Sequence, residues 1–318
     1  MRAISLFILL FFVLFLGYFS FYLYKNYLPI EEKSFFIISE KKEIEVNASS
    51  YLKQFVQNMR FSKNNLSYYF YEDCLEDNMN RMKNSFDIIQ NETEIISFYE
   101  IKDNSADILV FCSDKLIEKE SEENKRTFIA GEGGPSKFLN LTPYPLILQG
   151  EIKLYSKEKI EDCNYPIVEL HELLHVFGYE HFKEEKSVLY PYLKCNQRLD
   201  KEIISDLKNI YSVSPKAELF FVNSSAIKKG AYLDFSVEVK NTGIIEAKNV
   251  SLFINDEKDE IKVYSLGDIS SGYTKSLEVQ NLFLKNPKTK SISFRIFSFT
   301  KEYSYENNIV KMSIEQQT

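Results

Sequence analysis

Apolar residues along this chain follow three successive rhythms. The first is an unbroken run: Ile4 to Tyr24, ISLFILLFFVLFLGYFSFYLY, has no charge over 21 residues, enough to cross a bilayer at about 1.5 Å per residue. Arg2 precedes it, Lys25 follows it, and no small-x-small cleavage site comes after. The pattern therefore predicts an uncleaved transmembrane signal-anchor over 1–25. Residues 26–50 turn polar and charged around one apolar patch, as a stalk does.

The second rhythm, over 51–213, mixes strand and helix periods. Leu66–Tyr71 (LSYYFY), Ile95–Ile101 and Ala106–Cys112 read as strands. Between the first two, Met79, Met82, Phe86 and Ile89 fall at spacings of three and four, the stripe of a helix facing a core. AGEGGPSKFLN at 130–140 reads as a glycine-rich loop, and it lacks the Lys-Ser/Thr ending of a phosphate cradle. Gly150–Tyr155 alternates as a short strand. A helix then starts near Pro166, whose missing N–H costs nothing in a first turn, and stops at Gly178. Leu199–Tyr211 carries a last helical stripe of Ile203, Ile204, Leu207 and Ile210.

From about 215 to 318 the period becomes two. Leu233, Phe235, Val237 and Val239 alternate with polar partners, as do Val250, Leu252 and Ile254, then Ile292, Phe294 and Ile296, then Val310, Met312 and Ile314. Turn signals at Gly243, Asn255-Asp256, Gly272 and Asn286-Pro287 separate them. This predicts an all-β, Ig-like sandwich.

A chain of 318 residues with 44% hydrophobic content suits two folded units behind an anchor. Its net charge of -7, without a concentrated basic surface, argues against a nucleic-acid partner. Arg2 and the terminal amine oppose Lys25, so the positive-inside bias is nearly balanced. Two features break the tie. Asn-x-Ser/Thr triplets start at Asn47, Asn65, Asn91, Asn140, Asn223 and Asn249, and the four cysteines lie beyond the span without a CxxC pair, which suits disulfides in an oxidising space. The expected location is a single-pass cell-membrane protein with both folded parts outside.

The chemistry concentrates in HELLHVFGYEH, residues 171–181, which holds all 3 histidines of the chain. His171 and His175 are four apart, one helical turn from each other on the same face, close enough to share a metal ion. Glu172 points roughly 100° away, outside the coordination shell but within reach of a metal-bound water. Gly178 can take a left-handed conformation and turn the chain back, so that His181 supplies a third nitrogen. Three imidazoles leave one position open on a tetrahedral zinc, the arrangement of catalytic sites. Glu172 is then the expected general base and the nucleophile a zinc-activated water.

These residues match the signature HExxHxxGxxH at every fixed position, and the segment resembles the metzincin zinc peptidases, most of all the matrixins. SVLYPY (187–192) sits where matrixins carry a Met-turn of the form S-x-M-Y-P, which makes Leu189, Tyr190 and Pro191 structural residues of the site. LDKEIISDLKNIY resembles their final helix, and the upstream order of strand, helix, strand and ADILVF resembles their N-terminal subdomain, so the likeness covers about 50–212. It implies an α+β domain with a twisted, mostly parallel sheet, one catalytic zinc, and a peptide or protein substrate. That substrate would lie extended along an edge strand, at Gly150–Tyr155 or the loop before it, with Pro191 and Tyr192 lining a pocket. The likeness also departs: Leu189 replaces the methionine that packs beneath the metal, no histidines remain for a structural zinc, and Cys74 lacks a cysteine-switch context. In this fold Cys74 and Cys112 belong to neighbouring strands, while Cys163 and Cys195 flank the active-site helix and the turn, which implies bridges 74–112 and 163–195. KNTGIIEAKNV (240–250) and YENN (305–308) resemble motifs of CARDB-type Ig-like domains.

The expectation is thus a membrane-anchored extracellular zinc endopeptidase, with room for a surface ligand on its C-terminal sandwich. A surface adhesion protein whose metzincin-like domain has lost activity is the alternative from another class. An intracellular metal-binding domain behind an oppositely facing anchor is a third.

Overall fold

A computed structural model of the protein describes Phe15 and residues 54–115, 117–120, 126–155 and 163–314. The chain divides into two compact units, Met1–Lys42 and Glu43–Thr318. Apart from Phe15, the expected anchor and stalk lie outside the described residues. Among the described residues no helix is long and apolar enough to cross a membrane.

The first half is a mixed, mostly parallel sheet with few helices. Strands β1 (Arg60–Phe61), β2 (Asn65–Phe70), β3 (Ser97–Glu100) and β4 (Ile108–Cys112) precede a short antiparallel ribbon of β5 (Ile117–Glu120) and β6 (Arg126–Ile129). Then come β7 (Gly131–Leu139) and β8 (Leu146–Leu154). The main sheet runs β1-β8-β4-β2-β3, all parallel, with β7 added antiparallel to β8. Ile108, Leu109, Val110 and Cys112 are all buried, as expected of a strand covered on both faces.

Three helices cover this sheet. Helix α1 (Glu76–Thr93) buries Met82, Phe86 and Ile89, and the Phe86 ring stacks on Tyr68 of β2 at 4.4 Å. Helix α2 (Ile167–Val176) is buried nearly all round, and only His171 and His175 among its ten residues keep partial exposure. Each of its fully buried leucines, 170, 173 and 174, contributes about 1.5–3 kcal/mol. Arg81 of α1 fastens the start of α2, donating to Glu169 Oε1 at 2.9 Å and to the Cys163 carbonyl at 2.8 Å. Helix α3 (Lys201–Ser212) buries Ile203, Leu207, Ile210 and Tyr211. Its end is tied to β1 by the fully buried Arg60, which donates to the carbonyls of Ile210 and Val213 and stacks on Tyr211. Disulfides join Cys74 to Cys112 and Cys163 to Cys195.

The structure corrects two sequence expectations here. The glycine-rich segment is strand β7 and not a loop. The alternating segment at Gly150–Tyr155 belongs to the longer β8, which has β4 on one side and β7 on the other and so is interior. Glycine and proline lower strand propensity, but pairing along the whole of β8 overrides it.

The second half is all-β and antiparallel. Strands β9 (Leu219–Lys229), β10 (Tyr232–Asn241) and β13 (Thr274–Phe283) form one sheet in the order β13-β10-β9. Strands β11 (Ala247–Asn255), β12 (Glu260–Ile269), β14 (Ser291–Phe297) and β15 (Ile309–Ser313) form the other, in the order β12-β11-β14-β15. The alternating residues read from the sequence, from Leu233 to Ile296, fill one core between them, where Phe235 meets Phe294 at 5.3 Å. A small cluster of Leu141, Leu146 and Ile244, with Leu139 and Tyr144 packed on it, joins the two halves.

Candidate functional site

Helix α2 ends because Gly178 adopts φ +86°, a conformation that costs a side-chain-bearing residue energy. A Cβ there would also press to 3.0 Å from Met59 Sδ. The chain turns back at that point and is held by Phe55 N–H donating to the Gly178 carbonyl at 2.9 Å. The buried Gln54 amide donates to Phe177 O at 2.7 Å beside it. This bend brings His181 to the two helical histidines.

The three Nε2 atoms converge: His171 to His175 is 2.9 Å, His175 to His181 is 3.3 Å, and His181 to His171 is 3.2 Å. Nitrogens about 2.0–2.1 Å from a tetrahedral zinc stand roughly 3.3 Å apart, so the donor set fits that ion. The other ring nitrogens are committed. His171 Nδ1–H donates to the Val188 carbonyl at 2.6 Å and His175 Nδ1–H to the Tyr179 carbonyl at 2.6 Å. A carbonyl only accepts, so these bonds fix the tautomer and leave each Nε2 lone pair facing the common point. Burial, reinforced by the neighbouring imidazoles, holds His171 well below the usual histidine range. Burial likewise brings His175 down to about 4. Both rings are neutral, as metal ligands must be.

The carbonyls have their own supports. Tyr179 is buried and its hydroxyl donates to Asp206 Oδ2 of α3 at 2.7 Å. Val188 lies in the turn 187–190, where Ser187 Oγ donates to Asp200 Oδ2 at 2.6 Å and accepts from Leu189 N–H at 3.1 Å. Leu189 is fully buried in the core of the first half. Tyr190 is half-buried, and Pro191 and Tyr192 are exposed beyond the turn. The Cys163–Cys195 bridge connects the segment before α2 to the segment after this turn.

Glu172 is buried on the side of α2 that faces β7. A Cβ on Gly131 would sit 2.7 Å from Glu172 Cγ, and one on Gly133 only 2.2 Å from the Glu172 carbonyl oxygen, so both positions need glycine. Burial, and then the nearby Glu132 and Glu169 carboxylates, push Glu172 up to about 8. Beside it, burial and a hydrogen bond to Glu132 raise the Tyr155 phenol to about 12.

The histidines, Glu172, Gly178 and Leu189 that the sequence singled out all meet at or under one centre. Sequence reasoning missed the two carbonyl acceptors, which leave no side-chain signal, and the role of Gly131 and Gly133. Their spacing of two was the available clue, because alternate residues of a strand share a face and here that face is bare.

Residues 60–212 match the family model described as Matrixin, a peptidase family. This segment, just under half of the chain, is similar to the matrixins. The family implies zinc, and a metallopeptidase kind of function. No curated protein matches the chain. Among solved structures, the CARDB domain of a Pyrococcus furiosus protein, in complex with di-metal ions, is 12% identical, with 31% of this chain and 87% of that chain covered at a TM-score of 0.26. A domain of a Methanosarcina acetivorans protein described as a cell surface protein is 8% identical, covering 32% and 95% at a TM-score of 0.28.

Proposed function

We propose that the matrixin-like segment is a zinc-dependent endopeptidase, anchored by the N-terminal apolar segment with its catalytic half and a C-terminal sandwich of 215–318 outside the cell. The observation that carries this reading is the convergence of three neutral imidazoles within 2.9–3.3 Å, one residue along the helix from a buried carboxylate.

His171, His175 and His181 are the ligands. Zinc, when bound there, supplies Lewis acidity and makes water a nucleophile near neutral pH. Glu172 takes the proton of the attacking water on its carboxylate and returns it to the leaving amine. Burial suits this shuttle, since a carboxylate shielded from bulk water keeps the proton between the two transfers.

The substrate is an extended peptide. Strand β7 pairs only with β8 among the described residues, so its outer edge offers backbone N–H and C=O groups beside Glu172. The close approach of Gly131 and Gly133 to α2 places that edge against the centre.

Glu172→Gln tests the reading. The variant should retain stoichiometric zinc by atomic absorption and lose peptide cleavage by at least about two orders of magnitude, the scale of general-base catalysis. Equal cleavage by variant and parent would sink the mechanism and favour an inactive, adhesion-type protein.

A further inference from the structure

Strand β7 carries a charged side chain between the two glycines that touch Glu172. Gly131 and Gly133 turn their bare faces to α2, so Glu132, next in the alternation, projects from the opposite face of the sheet. It is exposed there, and the Tyr155 phenol donates to its carboxylate, which orients the group. Glu132 also stands close enough to Glu172 to help raise it, so it belongs to the neighbourhood of the active centre. Among the described residues β7 pairs only with β8, which leaves its outer edge free.

Around Glu132 that face is sparsely filled and negative on balance. Gly134, two residues on and on the same face, has no side chain, and a Cβ there would meet nothing within 4 Å. Across in β8, Lys153 stands opposite Glu132 and Glu151 opposite Gly134, while Lys137 lies farther along, across from Gln149. The immediate patch thus sets two carboxylates against one ammonium, beside open space at Gly134. A carboxylate has about four lone-pair sites, so Glu132 can accept from Tyr155, face Lys153 and still take a further donor from the outer edge.

We infer that Glu132 selects substrates with arginine or lysine at the position that pairs across from it, an inference that rests on the peptidase reading above. A peptide added to the free edge of β7 places one residue directly opposite Glu132, on the same face, with Cβ atoms about 4.5–5.5 Å apart in an antiparallel pair. The residues on either side of it point toward α2 and the histidines, so the one opposite Glu132 lies within about two residues of the scissile bond. A long cationic side chain there reaches the Glu132 carboxylate and lies over the space left open at Gly134. An acidic side chain meets two carboxylates instead. The net charge of -7 also favours the approach of basic peptides. Because the pair is exposed to solvent, it sets a preference and not an absolute requirement.

The test uses the full chain loaded with zinc and a library of fluorogenic peptides varied at each position around the cleaved bond. At one position within about two residues of that bond, arginine or lysine should give kcat/KM about two- to fivefold above glutamine, the scale of an exposed ion pair, and glutamate should fall below glutamine. The difference should lie in KM and shrink with added salt. Glu132→Gln keeps an acceptor for Tyr155 and should bring arginine, lysine and glutamine level, whereas Glu132→Lys should invert the order in favour of glutamate. Anisotropy titration of zinc-loaded Glu172→Gln with the arginine, glutamine and glutamate forms of one labelled peptide should give the parent's ranking without turnover. Cleavage with no basic preference, or a preference that survives Glu132→Gln, overturns the inference and leaves the peptidase reading standing. If the parent cleaves no peptide, the peptidase reading fails, and a flat binding order in Glu172→Gln would then overturn the role of Glu132 as well.

Discussion

His171 Nδ1 lies 2.6 Å from the carbonyl oxygen of Val188, so the helix and the turn beneath it share one hydrogen bond. The ring's orientation therefore depends on a backbone atom whose position is set by the fully buried side chain next to it, Leu189.

Leucine and methionine are nearly equal in volume, so Leu189→Met should change stability by less than about 1.5 kcal/mol and leave zinc affinity within a few-fold. Leu189→Ala should cost about 2–5 kcal/mol and weaken zinc, because the cavity lets the Val188 carbonyl drift. Chemical denaturation and competition with a chelator would measure both. Leu189→Ala binding zinc as tightly as the parent would remove the turn from the metal's support.

Gly133 and Gly134 make a matched pair in one strand. A Cβ at 133 meets the Glu172 carbonyl at 2.2 Å, whereas one at 134 meets nothing within 4 Å. Gly133→Ala should lower cleavage at least tenfold and destabilise by roughly 1–3 kcal/mol, the usual cost of overpacking. Gly134→Ala should be tolerated. If the two variants behave alike in cleavage assays, the contact between β7 and α2 does not govern the site.

In the metal-free protein Glu172 makes stability depend on pH in a definite direction. Its folded value near 8 is raised above the ordinary 4.5, so its contribution is complete below about 4.5 and is lost as pH rises through 8. Glu172→Gln removes that loss. Thermal melts in chelator should show parent and variant alike at pH 4, with the variant gaining steadily to pH 8 and ahead there by up to a few kcal/mol. A constant gap across pH would contradict this. His175, lowered to about 4, works the other way, losing its contribution as pH falls from 6.5 through 4.

The Cys163–Cys195 bridge closes a loop with a sequence separation of 32 that contains all three histidines. Replacing both cysteines by alanine should cost about 3–4 kcal/mol on chain-entropy grounds. Zinc should protect the variant, since binding favours the folded loop. Denaturant midpoints with and without zinc would show a larger zinc-dependent gain in the variant than in the parent, and an equal gain would mean the loop is rigid without its bridge.

The three converging histidines and the helices were legible because they rest on side-chain identity and on periods of 3.6. His171, His175 and His181 are the only histidines, and Met82, Phe86 and Ile89 could serve one face only. Strand β7 was illegible because its residues answer to a neighbour, the backbone of Glu172, and not to any strand preference. The acceptors Val188 and Tyr179 act through carbonyls, which any residue carries. Arg60 reads as a surface charge until the carbonyls of Ile210 and Val213 are seen to meet it. In β9 and β13 the alternation fades because these strands pack unevenly, so their extent could not be read from period alone.

The cluster of Leu141, Leu146 and Ile244 has a mechanical consequence. Leu139, the last residue of β7, also lies against Gly272 of the turn between β12 and β13, where a Cβ would stand 3.0 Å from its Cδ1. The sandwich thus packs against the far end of β7. A fragment cut before the sandwich would lose this grip on β7 while keeping all three histidines.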